Sequence, residues 1–446
     1  MTHKSLTCLL MTLLSILSLL TTSPHRVVAA RLQQELPLLE LGKPIEKELA
    51  GGQVHSYRVF LTAGQYLYLV VEQRGIDVVV ALFGPDGKKL TEVDSPNGAQ
   101  GPEPLSWAVD VSGSYRLEVR SLEKDAAVGR YEAKIEELRA ATDKDRDRIA
   151  AQRAFAEGEE LRNQGTGESL RKAIKKYEEA LLLERAVGDR AGEATTLNTI
   201  GAVYWSLSEM QKALDYFNQE LPLERMLGDH SGEAYTLNNI GLVHKDLGEN
   251  QKALDYYNQA MPLLRAVGDR KMEATTLSNI GAVYWSLGEM QKALDYFNQA
   301  LLIKRAVDDR SGGAYMLNNM AMVYWSLGEM QKALDYFNQA LSLRRAVGDR
   351  SGEAAILSNI GAVYNDLGEK QKALDYYNQA LPIRRAVGDR SGEATTLNNT
   401  GSVYNDLGEK QKALNYYNQT LPIRRAIGDR SGEAVMLSNI GNVYNT

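Results

Sequence analysis

The chain has 446 residues, with 51 Lys and Arg against 57 Asp and Glu and a net charge of −6 at neutral pH. That length holds more than one domain, and a mildly acidic balance argues against nucleic acid as the default partner. The one cysteine, Cys8, lies in the first residues, so no disulfide framework, cysteine nucleophile or Cys-based metal cluster is available beyond it.

Residues 1–30 read as an export signal. Lys4 supplies the positive start, residues 6–20 are an apolar run lightened by Ser and Thr, and Val28, Ala29 and Ala30 place small residues before a cut at Arg31. The run is short for a membrane span of about 20 residues; the alternative is an uncleaved anchor. The expected location is exported: periplasm, cell envelope or outside the cell.

Residues 31–140 carry a period of two. Tyr57, Val59 and Leu61 alternate with polar residues, as do Leu67, Leu69 and Val71, then Tyr115, Leu117 and Val119, then Tyr131, Ala133 and Ile135. Ala63-Gly64, Pro85-Asp86-Gly87 and Ser112-Gly113 are turn signals between them. Val78–Phe83 is apolar throughout, as a strand covered on both faces would be. The prediction is a small antiparallel β-sandwich. The succession of His55 to Val59, Ala63 to Leu67, Asp77 to Gly87 and Gly113 to Val119 resembles the bacterial pre-peptidase C-terminal domain. That resemblance implies an accessory module on a secreted bacterial protein and adds location more than activity.

Residues 141–446 change to a helical period. Asp143 to Arg148 alternates sign and reads as a linker or a first helical turn. From about residue 190 a 40-residue unit is copied almost word for word, marked by Ala213, Ala253, Ala293, Ala333, Ala373 and Ala413. Within a unit, Leu197, Ile200, Gly201, Tyr204 and Leu207 recur at three and four, and Ala213, Leu214, Phe217 and Leu221 form a second such face. Each unit is therefore a helical hairpin that cannot bury both faces alone, so neighbours stack. Residues 149–189 read as a variant first unit, 190–429 as six regular ones, and 430–446 as a first helix without its second. Gly228, Gly268, Gly348 and Gly388 are expected to end the second helices. Asp308 takes that place once, which predicts a strained or reshaped junction. Pro222, Pro262, Pro382 and Pro422 are expected to kink or interrupt their helices. Tyr204, Tyr284 and Phe217 are assigned to the core.

The pattern Leu-x-x-Ile-Gly-x-x-Tyr, then Ala, an aromatic residue four on, and a further Ala (Ala260, Ala300, Ala340, Ala380) resembles the tetratricopeptide repeat. The long units with Gly-Asp between them resemble those of kinesin light chains and cell-polarity adaptors, and those attached to caspase-like CHAT-domain proteases in bacteria. The resemblance implies a mainly α fold: a right-handed α-solenoid of helical hairpins, here preceded by the small antiparallel β-sandwich, with first helices lining a concave face.

On those first helices Asn239, Asn279, Asn319, Asn359, Asn399 and Asn439 recur just before a core position. An amide both donates and accepts, so a row of them can bond the backbone of an extended peptide. This resembles the asparagine ladder of peptide-binding tetratricopeptide superhelices. The alternative is that each Asn bonds the neighbouring repeat. Trp205, Trp285 and Trp325 follow the core Tyr position, where Lys245 and later Asn365, Asn405 and Asn445 also fall. Trp on an interaction face is a usual anchor; packing on the next repeat is the alternative. Substituting Asn319 and Asn359 together by Ala is expected to weaken partner binding and leave stability nearly unchanged.

Other chemistry is thin. His230 and His244 stand where other units carry Arg and Tyr, His55 falls in the sandwich, and no pair has metal-ligand spacing. No phosphate loop or nucleophile elbow occurs. The expectation is a non-enzymatic, cofactor-free, exported scaffold that binds a protein or extended peptide. Two alternatives stand beside it: the non-catalytic N-terminal part of a longer CHAT-domain protease, and wall or carbohydrate attachment through the sandwich. Leu437, Ile440, Val443 and Tyr444 repeat a first-helix face with no second helix after them. This predicts a longer parent chain, pairing of the C-terminal edge with another copy or with a partner's helix, or a last helix that caps itself.

Overall fold

A computed structural model describes residues 36–95 and 98–445. The export signal expected at 1–30 lies outside the described residues.

Period-two alternation produces eight strands: β1 (Ile45–Leu49), β2 (Val54–Leu61), β3 (Gln65–Arg74), β4 (Val78–Phe83), β5 (Lys89–Val93), β6 (Gln100–Ala108), β7 (Gly113–Ser121) and β8 (Gly129–Ala140). They pair antiparallel in two four-stranded sheets, ordered β1-β8-β3-β6 and β2-β7-β4-β5. The alternating apolar residues of both sheets, from Tyr57 and Leu69 to Leu117 and Ile135, meet in one core. The all-apolar β4 lies between β7 and β5, and Val78 to Leu82 are buried on both faces.

The passage from strand to helix is built, not loose. The Thr142 hydroxyl accepts from the Asp145 amide, and the Asp145 carboxylate accepts from the Thr142 amide and hydroxyl. Arg139, at the end of β8, donates two further bonds to Asp145 at 2.6 and 3.0 Å. The arginine and the cap hold this buried carboxyl well below the usual carboxylate range. Residues 143–148 are thus the first turns of a helix.

Helix α1 (Asp143–Asn163) pairs with α2 (Gly167–Val187), and Gly158 lies against the Tyr177 ring. By contacts the chain divides into two compact units, Met1–Thr196 and Leu197–Thr446. The division falls inside α3 (Arg190–Ser206) rather than at the strand-to-helix change, because α1 packs against β6 and joins the first hairpin to the sandwich unit.

The second unit continues with α4 (Met210–Leu227), α5 (His230–Asp246), α6 (Asn250–Val267), α7 (Arg270–Ser286), α8 (Met290–Ala306), α9 (Arg310–Ser326), α10 (Met330–Ala346), α11 (Arg350–Asp366), α12 (Lys370–Ala386), α13 (Arg390–Asp406), α14 (Lys410–Ala426) and α15 (Arg430–Asn445). Four hairpins pack one way: Gly241, Gly281, Gly361 and Gly401 sit against the rings of Tyr257, Phe297, Tyr377 and Tyr417; α9 carries Ala321 at this position. A methyl added at Gly281 would approach the Phe297 ring to 2.8 Å, so the glycine sets how closely the two helices lie.

Second helices end on a left-handed residue. Gly228 and Gly268 cap α4 and α6, and Gly348 and Gly388 adopt φ of 71° just after α10 and α12. Asp308 takes the same conformation at φ 52°, so the junction keeps its shape with a residue that has a Cβ where glycine is favoured. Asp308→Gly is expected to stabilise the unit by roughly 0.5–1 kcal/mol. The urea midpoint checks this; an unchanged or lower midpoint counts against strain at Asp308.

The expected interruptions at Pro222, Pro262, Pro382 and Pro422 do not occur: α4, α6, α12 and α14 run unbroken through them. Each proline still removes one ladder hydrogen bond. Buried residues on both sides, such as Met261 and Leu264 around Pro262, keep the helix docked through that loss. Tyr204 and Tyr284 are also not full core residues. They are half-buried and stack on Tyr216 and Tyr296, with Lys212 and Lys292 over their outer faces, whereas Phe217 is buried. In α15, Leu437 and Tyr444 are exposed and Val443 is buried.

Candidate functional site

The first helices bury a stripe, in α5 Ala234, Leu237, Ile240 and Val243. The residue before the third stripe position therefore lies at the stripe's edge. Asn239, Asn279, Asn359, Asn399 and Asn439 are half-buried there, and Asn319 is buried.

Their partners come from one residue earlier in the preceding repeat. The side-chain amides of Asn279, Asn359 and Asn439 donate to Oδ1 of Asn238, Asn318 and Asn398, each at 3.2 Å. Asn238 Oδ1 also accepts from the Thr276 hydroxyl. Asn318 and Asn398 donate weakly to their neighbours Asn319 and Asn399 at 3.4 and 3.3 Å, and Asn399 also bonds the Tyr377 hydroxyl. The accepting position reads Asn238, Ser278, Asn318, Ser358, Asn398, Ser438, so the ladder closes only at every second junction. The alternation of Asn-Asn and Ser-Asn is written in the sequence as an 80-residue period over the 40-residue one. Among the described residues, the carbonyl oxygens of Asn279, Asn359 and Asn439 have no protein partner, and Asn239 makes no side-chain bond.

A second row runs beside the first. The indole N–H of Trp205 donates to Asp246 at 2.8 Å and that of Trp325 to Asp366 at 2.9 Å. Trp285 faces a repeat that carries Ser326 at the aspartate position, and it packs half-buried on the core. Lys245 pairs with Asp246 at 3.2 Å. Where Trp gives way to Asn365, Lys370 bonds both Asn365 and Asp406, at 2.8 and 2.6 Å. The aspartates are the members of this row that spacing alone did not reveal.

One buried carboxyl stands out. Glu220 replaces the alanine of other units and is 2% exposed. It accepts from both Asn198 Nδ2, at 2.9 and 3.0 Å, and the Thr236 hydroxyl, at 2.7 Å. Burial pushes its pKa up to about 8, against the pull of these two donors.

The histidines hold structural places. His244 stacks on Tyr256 as Tyr284 does on Tyr296, with Nδ1 2.5 Å from Glu249. His230 is exposed, and His55 meets the Tyr131 hydroxyl at 2.8 Å within the sandwich unit. Among the described residues no group of three or more His, Cys, Asp or Glu is placed to hold a metal ion, and no helix is long and apolar enough to cross a membrane.

A family profile described as tetratricopeptide repeat matches residues 167–226, 200–266, 232–306, 313–386 and 353–426, together more than half of the chain. No curated protein matches. Among solved structures, aspartyl phosphate phosphatase F from Bacillus subtilis is similar, with 16% identity over 63% of this chain and 72% of that one, at a TM-score of 0.50. BtubC from P. vanneervenii aligns at 21% identity over 49% of this chain and 92% of that one, with a TM-score of 0.45. The apo form of RapI aligns at 20% identity over 63% and 99%, with a TM-score of 0.49. At these identities the likeness is one of fold.

Proposed function

We propose a role that proceeds from one premise: the chain belongs to the tetratricopeptide repeat family, and its first-helix face binds a protein segment in extended form. The observation that carries this is the half-used amide row. The NH2 groups of Asn279, Asn359 and Asn439 are tied to the preceding repeat, which fixes each carboxamide, while their carbonyl oxygens are left to accept. Fixed acceptors lose little freedom on binding, so a peptide N–H gains most of the bond. The Trp205 and Trp325 indoles, held by Asp246 and Asp366, add rigid apolar surface beside that row.

The geometry moves the decisive substitution. Asn319 and Asn359 are both linked to Asn318, so replacing them costs the repeat its own bonds as well. Asn239 has no such bond. With a peptide selected on the full chain from a displayed library of unstructured sequences, Asn239→Ala is expected to weaken binding about fivefold to tenfold, the worth of one hydrogen bond, without changing the melting temperature. Trp325→Ala is expected to weaken it at least as much. Unchanged affinity in both variants would dismiss this face as the binding surface.

The same proposal places the protein outside the cytoplasm. Its support is the signal-like segment 1–30 and the order of strand motifs that resembles the pre-peptidase C-terminal domain. Mass spectrometry of the protein recovered from its native cells should find Arg31 as the first residue; an intact Met1 terminus in the cytoplasmic fraction refutes export.

A further inference from the structure

Four junctions between repeats are closed by the same ionic clasp. At the end of a second helix an arginine donates to a glutamate in the next first helix, and a second arginine grips the other oxygen. Arg265 Nε and Arg270 Nη1 hold Glu273 at 2.9 and 2.5 Å, and Arg385 and Arg390 hold Glu393 at 2.7 and 2.6 Å. Arg185 with Arg190, and Arg345 with Arg350, do the same to Glu193 and Glu353. The junctions at Glu233 and Glu433 keep the first arginine of the clasp, Arg225 and Arg425.

At the junction of α8 and α9 both arginines are present, as Arg305 and Arg310, and the glutamate is Gly313. The space it would fill is an open cavity of about 400 Å³ lined by Arg305, Arg310, Gly313 and the apolar side chains of Leu317 and Leu343. A Cβ at Gly313 would lie 3.7 Å from Leu343 and 3.8 Å from Leu301, ordinary contact distances, so nothing blocks the position. Ser342 stands on the lining where four other units carry proline, and adds a hydroxyl. The acidic groups there are already committed. Asp309 caps α9 through Gly312 and pairs with Lys304 at 2.9 Å, and Asp308 pairs with Arg310 at 3.2 Å. The Arg305 guanidinium has no protein partner among the described residues. Three cations against two carboxylates leave the cavity one negative charge short.

We propose that this cavity binds a carboxylate, which takes the place of the side chain missing at Gly313 and completes the clasp between Arg305 and Arg310. The ligand is a small free carboxylate or an acidic side chain of a bound protein segment. Two arginines converge on a carboxylate with directed N–H donors, and the leucines receive its short alkyl stem. The site is separate from the amide row, so its success or failure leaves the proposed peptide face untouched.

Propionate supplies the three carbons of a glutamate side chain beyond Cα, which makes it the direct probe. With the full chain at constant ionic strength, propionate is expected to raise the melting temperature saturably, as a ligand of the folded state does, and propionamide to leave it unchanged. Gly313→Glu is expected to raise the starting melting temperature, since it restores the clasp of the other junctions, and to abolish the propionate response. Arg305→Gln should abolish the response without that rise. A blocked Gly-Glu-Gly peptide identifies the source: saturation at a tenfold lower concentration than propionate assigns the site to a protein segment, and the reverse order to a free carboxylate. Absence of a saturable response to both probes, or an equal response in Gly313→Glu, overturns the proposal.

Discussion

Raising the pH from about 5 to 9 is expected to destabilise the repeat unit by on the order of 4 kcal/mol, and Glu220→Gln is expected to remove most of that fall. Glu220 is enclosed where five other units place a fully buried alanine. Burial raises its pKa to about 8, Asn198 and Thr236 pull it back in part, and nearby Glu224 adds repulsion. The folded value lies above the ordinary glutamate value, so the folded state holds the proton more tightly. The stabilisation is therefore complete below about pH 4.5 and is lost as pH rises through 8. Glutamine keeps the shape and a carbonyl acceptor for Asn198 and Thr236 without a charge to desolvate. Glu184, in the other unit, is likewise pushed up to about 7, with burial the main cause. The informative quantity is accordingly the difference between wild type and variant. Urea unfolding at pH 5, 7 and 9 measures it, and parallel curves for the two proteins would show that Glu220 does not titrate in this range.

Phe297→Ala is expected to cost about 3–5 kcal/mol and to do so locally. The ring is fully buried and fills the space opened by Gly281. Gly281→Val is expected to be costly for the opposite reason, since its first carbon already meets that ring at 2.8 Å. Combining Gly281→Val with Phe297→Ala puts new atoms into the void left by the ring, so the two costs should sum to less than their separate values by about 1 kcal/mol or more. Each repeat contacts only its neighbours. Loss of amide-exchange protection should therefore concentrate in α7, α8 and the hairpins beside them. Strict additivity, or uniform loss of protection from α4 to α15, would contradict this account of the packing.

That Asn239 and its five equivalents sit at the edge of a helical stripe follows from the three-and-four spacing of the apolar residues. Which of them are bonded does not, because the partner lies in the preceding repeat and is Asn at one junction and Ser at the next. The prolines teach the same lesson in reverse. Their local effect is a lost hydrogen bond and a clash, yet α6 stays whole because Met261 and Leu264 are buried on either side of Pro262.

What the sequence by itself determined is everything set by local periodicity. Period two made Leu67, Leu69 and Val71 one buried face of a strand. Period 3.6 within a 40-residue copy made the hairpins, and glycine at Gly228 and Gly268 ended their second helices, since each of these depends on a residue and its near neighbours along the chain. Only the tertiary structure decided the rest: the burial of Glu220 among Asn198 and Thr236, the holding of Trp205 by Asp246, and the empty clasp at Gly313 between Arg305 and Arg310. Each of these joins residues of different helices, and stacking, not spacing, sets the distance between helices.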